Sequence, residues 1–262
     1  MKPWQTFIRA PEPTDHAVQI YDDLDGLQRV VCAFLGAGFE AGAPAVVVAT
    51  AGHRDVFDRG LAADGWDLAG IRAEGLLDVV DADETLSAVM HGESPDPDSF
   101  ARVVGGLIDD AAARFPGSTV RVYGEMVDLL WRRGRSAAAI ELEELWNELA
   151  ATRSFALLCA YELDIFEADV QARGLPEIFG VHNHTRPATD PTGLAAAVDR
   201  ALTDCVGPVE AARIYLAVAE QIPHGDTSRG QAVLAWLSAN RTDTAAPVLE
   251  RLRALRLMSA PA

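Results

Sequence analysis

Ala45-Val46-Val47-Val48-Ala49-Thr50 is an unbroken apolar run of strand length, with no polar side chain to face solvent before Thr50. Such a run fits a strand buried on both faces, the usual situation in a parallel sheet with helices above and below. Upstream, Leu24, Leu27, Val30, Val31, Phe34 and Leu35 fall at helical spacing behind Asp22 or Asp23, either of which suits an N-cap; Gly36 and Gly38 are expected to end that helix. Downstream, a helix is expected from about His53 to Ala63, stopped at Gly65. The alternation then repeats, with strands at Leu76–Val80, Thr119–Tyr123 and Phe155–Cys159 and helices at Pro97–Phe115 and Ser136–Ala151. Phe100, Val103, Val104, Leu107 and Ile108 form the apolar face of the long helix, and Gly92–Pro97 reads as a surface loop. Strands separated by helices of this length predict a three-layer α/β fold with a mostly parallel sheet.

Beyond Pro187 the pattern changes. Thr192–Thr203, Pro208–Gln221, Ser228–Ala239 and Ala245–Leu257 all read as helices, which predicts an α/β domain over 1–188 and a helical C-terminal extension over 189–262. The extension carries 7 basic and 8 acidic residues, whereas residues 1–189 carry 15 and 31, so nearly all of the net charge of −17 belongs to the α/β part.

Composition removes several functions. The 262 residues are 49% hydrophobic and 23% charged, an ordinary globular balance. No apolar run approaches the roughly 18 to 20 residues of a membrane span, and Met1–Ala10 lacks the order of a signal peptide, so a cytoplasmic protein without a membrane partner is expected. Cys32, Cys159 and Cys205 are odd in number and far apart, which excludes a disulfide framework. Strong acidity disfavours direct nucleic-acid binding, which relies on neutralising phosphates. Lys2 is the only lysine among 22 basic residues, so a Walker-type loop, a Schiff-base lysine and a kinase strand lysine are all missing.

Candidate sites follow from position. Gly36-Ala37-Gly38-Phe39-Glu40-Ala41-Gly42 matches a dinucleotide-type glycine pattern, but a helix precedes it and a strand follows, the reverse of a phosphate turn; it reads as a helix end and turn. Thr50-Ala51-Gly52-His53-Arg54 does join a strand to a helix, and its free N–H groups, the Thr50 hydroxyl and Arg54 suit an anion or an ordinary capped turn. Glu125 follows a strand at the carboxyl edge where open α/β sheets bind ligands, and Cys159, Ala160 and Tyr161 are expected at that edge. Glu143 and Asn147 are one helical turn apart and share a face. Of six histidines (16, 53, 91, 182, 184 and 224), His182 and His184 flank Asn183 on one side of an extended segment. They suit a metal or haem site if His16 or Cys159 converges on them.

The succession His16…Tyr21, Phe34-Leu35…Gly38…Gly42-Ala43-Pro44, Leu61…Gly65-Trp66-Asp67, Gly75-Leu76-Leu77, Val120-Arg121-Val122…Glu125-Met126, Glu143…Trp146-Asn147 and Leu158-Cys159-Ala160-Tyr161 resembles the MEDS domain, the methanogen/methylotroph sensory domain named with the dichloromethane-responsive regulator DcmR. The resemblance covers about residues 14–188. The stretch is also similar to KaiC and RecA-like ATPases at Phe34–Val48 and Leu61–Asp67, which implies a RecA-like core, yet without a Gly-Lys-Thr loop it does not carry ATP hydrolysis across. The resemblance implies a non-catalytic cytosolic sensor of small hydrocarbon-derived compounds. It makes His16, Tyr21, Glu125, Glu143, Asn147, Cys159, Tyr161 and His184 ligand-pocket candidates, with Thr50 from the anion turn. Arg121, on the strand ending at Glu125, is either a further ligand contact or half of a structural ion pair.

The ligand is expected at the carboxyl edge of the sheet, and a signalling or transcription-regulating partner, or a second copy, at the helical extension. Two alternatives stand beside this reading: a degenerate nucleotide-binding, ATPase-like enzyme, and a haem or metal sensor using His16, Cys159, His182 and His184. The sequence names no cofactor.

Overall fold

A computed structural model describes residues 3–188, 190–221 and 228–259; Lys2, Thr189 in the expected boundary, and His224 lie outside them. The strands are β1 His16–Tyr21, β2 Ala45–Ala49, β3 Leu77–Asp81, β4 Met90–His91, β5 Ser94–Pro95, β6 Val120–Gly124, β7 Phe155–Glu162 and β8 His184–Arg186. Helices α1 Pro3–Arg9, α2 Leu24–Glu40, α3 Ala51–Ala63, α4 Leu68–Ala73, α5 Ala82–Val89, α6 Pro97–Arg114, α7 Met126–Arg132, α8 Ser136–Ala150 and α9 Leu175–Gly180 are interspersed, and α10 Pro191–Val206, α11 Pro208–Gln221, α12 Arg229–Asn240 and α13 Thr242–Ser259 close the chain.

The main sheet has the order β3-β2-β6-β7-β1-β8, giving the expected RecA-like α/β architecture followed by helices. β2 pairs in parallel with β3 and β6, and β6 with β7, so that Val48 lies beside Gly124 and Gly124 beside Cys159. The Phe155 and Leu157 amides donate to the Pro13 and Asp15 carbonyls with constant offset, the signature of parallel register between β7 and the chain entering β1. All five residues of β2 are buried, as the apolar run requires.

Several local expectations are corrected. No element was expected before Leu24, but α1 and β1 lie there; β1 is buried at all six positions, while His16 and Gln19 interrupt its apolar run and hide it from a hydrophobicity reading. Helix α2 continues through Gly36 and Gly38 to Glu40, and the turn falls instead at Gly42, whose φ of 68° suits glycine. The two glycines serve packing: a Cβ at Gly36 would lie 3.1 Å from Trp66 Nε1, and one at Gly38 would collide with Arg121 Cδ. Gly92–Pro97 is partly a hairpin, with His91 opposite Ser94 around Gly92.

Capping follows the expected chemistry. The Asp23 carboxylate accepts from Gly26 N at 2.6 Å to start α2, and Asp96 accepts from Ser99 N at 2.8 Å to start α6, with Pro97 in its first turn.

The chain forms two compact units. The first comprises residues 1–19, 23–162 and 181–184; the second comprises 20–22, 163–180 and 185–262. In the second unit Leu194, Val198, Leu202, Leu237, Val248 and Leu252 are buried, and a π-helical turn at Val170–Gly174 places Gln171 against Gln231 of α12. Gln231 Nε2 donates to Gln171 Oε1 at 2.9 Å, and Gln171 Nε2 donates to Ile165 O at 2.7 Å, which satisfies an otherwise costly buried amide pair. Among the described residues no helix is long and apolar enough to cross a membrane.

Candidate functional site

The first unit brings His16, Glu143, Asn147, Cys159 and Tyr161 together and adds His182. Glu143 and Asn147 project from one face of α8, as their spacing requires, while Cys159 and Tyr161 alternate along β7 and so share a face. Cys159, Ala160 and Tyr161 lie inside β7 rather than beyond its end, because the strand continues to Glu162. Cys159 is level with Gly124, the last residue of β6, and Tyr161 lies further along, so the cluster is buried within the long strand β7 near the level where its neighbours end.

Glu143 is its centre and is fully buried. Tyr161 OH donates to Glu143 Oε1 at 2.8 Å, and Cys159 Sγ donates to Oε2 at 3.3 Å. His16 Nε2 lies 3.2 Å from Oε2 and 3.5 Å from Cys159 Sγ; His182 Nε2 lies 3.4 Å from Oε1. The two imidazole rings are 4.1 Å apart at their centroids.

The far side of His16 is fixed as well. Asn147 Nδ2 donates to Val181 O at 3.0 Å, so its Oδ1 is the atom facing His16 Nδ1 at 2.9 Å. The proton of His16 is thereby placed on Nδ1. Asn183 brackets the start of β1: its amide donates to His16 O, and its Oδ1 accepts from His16 N at 2.8 Å.

Burial dominates the electrostatics. It raises the Cys159 thiol and the Tyr161 phenol well above their usual range, reinforced by the Glu143 charge, so both are protonated donors. Burial, then the neighbouring His182, lowers His16, against the opposing pull of Glu143. For Glu143 itself burial would raise the pKa, but His182 and His16 together outweigh it and hold the carboxyl below its usual range. An isolated buried carboxylate costs several kcal/mol; here each oxygen has partners.

Glu125 and Thr50 meet elsewhere, at the carboxyl edge of β6 and β2. The Thr50 amide donates to Glu125 Oε1, His53 Nδ1 lies 2.5 Å from Oε2, and Tyr123 OH donates to Oε2 at 3.3 Å. The anion held at the start of α3 is thus Glu125's own carboxylate, and Arg54 turns away to Asp81 at 2.9 Å. Burial acts to lower the His53 pKa, but the bond and charge of Glu125 prevail and raise it. His53 was visible as part of the turn; its union with Glu125 across 72 residues was not.

Three candidates stand apart. Tyr21 belongs to the second unit, where its carbonyl accepts from Leu163 N. His184 pairs with Asp15 at 3.0 Å instead of joining His182; strand geometry begins only at His184, so the alternation expected for residues 182–184 does not hold. Arg121 lies at the opposite end of β6 from Glu125. Its guanidinium donates to the carbonyls of Ile8 and Phe34, both at 2.7 Å, and of Arg9 at 2.9 Å, so among the described residues backbone carbonyls take the place of the expected ion pair.

Fold and cluster together define a RecA-like α/β domain with an ionisable centre in its core. The chain belongs to the MEDS family: residues 15–182 match the MEthanogen/methylotroph, DcmR Sensory domain. His16, Glu143, Asn147, Cys159, Tyr161 and His182 all fall within that match. No curated protein matches the chain.

Proposed function

We propose that this chain detects a small, weakly polar molecule, of the hydrocarbon-derived kind, at the Glu143 cluster. It passes the change to a signalling or transcription-regulating partner, or to a second copy, through its helical unit. The observation that carries the reading is Glu143 itself, a fully buried carboxylate surrounded by two imidazoles, a thiol and a phenol within 3.4 Å of one or other of its oxygens. Apolar side chains would fill this core more cheaply, and clusters of perturbed titratable groups are enriched at functional sites. Membership of a sensory family supports the same reading.

Two further observations bear on ligand class and output. Carboxylates occupy both helix starts where a phosphate would sit, Asp23 at α2 and Glu125 at α3, which favours a ligand other than a nucleotide. Val181–His184, carrying His182 and Asn183, belongs to the first unit while the chain on either side belongs to the second, so the segment bearing His182 is joined covalently to the helical unit at both ends. On α11, Val209 and Leu216 are 67% and 66% exposed at seven-residue spacing, one face of a helix suited to a protein partner.

The test is a thermal-shift and intrinsic-fluorescence screen of the full chain against short alcohols, aldehydes and halomethanes. Trp131, 5.7 Å from the Tyr161 ring, is the reporter. At least one compound is expected to raise the melting temperature in the wild type and not in Glu143→Gln. If every compound acts equally on both proteins, or none acts on either, the assignment to this cluster fails.

A further inference from the structure

His16 Nε2, Cys159 Sγ and Glu143 Oε2 form a closed triangle with sides of 3.2, 3.3 and 3.5 Å. Ligand atoms at zinc-type bond lengths of about 2.0 to 2.3 Å in a tetrahedron lie roughly 3.3 to 3.6 Å apart. The triangle thus has the size of one tetrahedral face. His182 supplies the fourth ligand: one ligand atom from each of the four residues lies within 4.8 Å of the others.

Proton accounting points the same way. With the Nδ1 proton of His16 committed to Asn147, its Nε2 presents a lone pair to the triangle. Glu143 Oε2 is an acceptor too, so the Cys159 S–H is the one hydrogen available among the three atoms. Three electron-rich atoms at these separations are better satisfied by a cation than by one weak donor.

We propose that His16, Glu143, Cys159 and His182 bind a single divalent metal ion of the zinc class. One thiolate, one carboxylate and two neutral imidazoles balance two positive charges, which a dry site demands. Thiolate with imidazole selects zinc-type metals over magnesium or calcium. Asn147 on His16 and Tyr161 on Glu143 are the outer hydrogen-bond partners that orient metal ligands. Glu143 takes the place that His184 held in the sequence-based metal set.

The inference rests on the Glu143 cluster as the sensing site, and its test separates the two ideas. The full chain is purified, its zinc content measured, and chelator-treated protein titrated with Co²⁺ while circular dichroism monitors folding. One equivalent of Co²⁺ is expected to give intense visible bands and a thiolate-to-cobalt charge-transfer band. Cys159→Ser should lose the charge-transfer band, His16→Gln should bind at least about tenfold more weakly, and His184→Ala should match the wild type.

Absence of stoichiometric uptake by folded wild-type protein overturns the site, as does a cobalt spectrum unchanged by both Cys159→Ser and His16→Gln. A small-molecule response in metal-free protein that takes up no cobalt removes the metal and keeps the sensor. Cobalt uptake without any small-molecule response keeps the metal and removes the sensor.

Discussion

His53 and Glu125 show how one residue pair ties the fold to pH. His53 is largely buried, with 15% of its side chain exposed, and its pKa is raised above the ordinary 6.5 because the Glu125 bond and charge outweigh burial. A histidine whose folded pKa exceeds its unfolded value binds protons more tightly when folded, so protonation stabilises the native state. The contribution is complete below about pH 6.5, the unfolded value, and disappears as pH rises through the raised folded value. Denaturant midpoints of wild type and His53→Gln are therefore expected to differ most below pH 6.5 and to converge above the folded pKa. A difference constant from acid to alkaline pH would show that the pair is not an ionic one. Neither this pair nor the Glu143 cluster was fully legible beforehand. Glu143 and Asn147 announced themselves by helical spacing, whereas His16 and Cys159, 143 residues apart, meet only once β1 and β7 have their places in the sheet.

Helix α2 shows the same limit at the scale of an element. Its Gly36 and Gly38 read as terminators, but each marks a close approach: Gly36 to Trp66 and Gly38 to Arg121. The Arg121 stem cannot retreat easily, since its guanidinium is held by three carbonyls and lies over the Phe34 ring at 5.0 Å. Gly38→Ala gains about 1 kcal/mol of helix propensity but forces an overpacking cost of typically 1–3 kcal/mol, together with strain on the buried guanidinium bonds. A net loss of about 1–2 kcal/mol is expected. Gly106 in α6 is the control, for a Cβ there meets nothing within 4 Å; Gly106→Ala should stabilise by up to about 1 kcal/mol. Chemical denaturation of both variants decides the matter, and equal effects would mean that Arg121 yields. Apolar runs made β2, β3, β6 and β7 legible to within a few residues. β1 was obscured by buried His16 and Gln19, and α2 appeared too short because glycine signals a helix end and a tight helix contact with the same letter.

At the scale of the whole molecule, charge is the property most unevenly distributed. Residues 1–189 hold 31 acidic and 15 basic side chains, against 8 and 7 in 190–262. Many arginines of the acidic part are already engaged: Arg54 with Asp81, Arg72 with Asp58, Arg114 with Asp78, Arg133 with Asp83 and Arg153 with Asp109, and Arg121 is buried on carbonyls. The remaining excess is net negative charge, whose self-repulsion opposes compaction. Salt acts on both kinds of interaction, but unequally. The contacts just named are much shorter than the Debye length of about 10 Å at 0.1 M, while repulsion among dispersed carboxylates acts over distances that such salt screens strongly. Exposed pairs contribute only about 0–1 kcal/mol each, so their weakening is the smaller effect. Raising sodium chloride from about 0.01 M to 0.1 M, which shortens the Debye length from about 30 to 10 Å, is expected to raise the melting temperature at pH 7. The gain should shrink near pH 4.6, where the charges of the sequence balance. A melting temperature that falls with salt at pH 7 would mean that the ion pairs, and not the net negative charge, dominate the electrostatics of the fold.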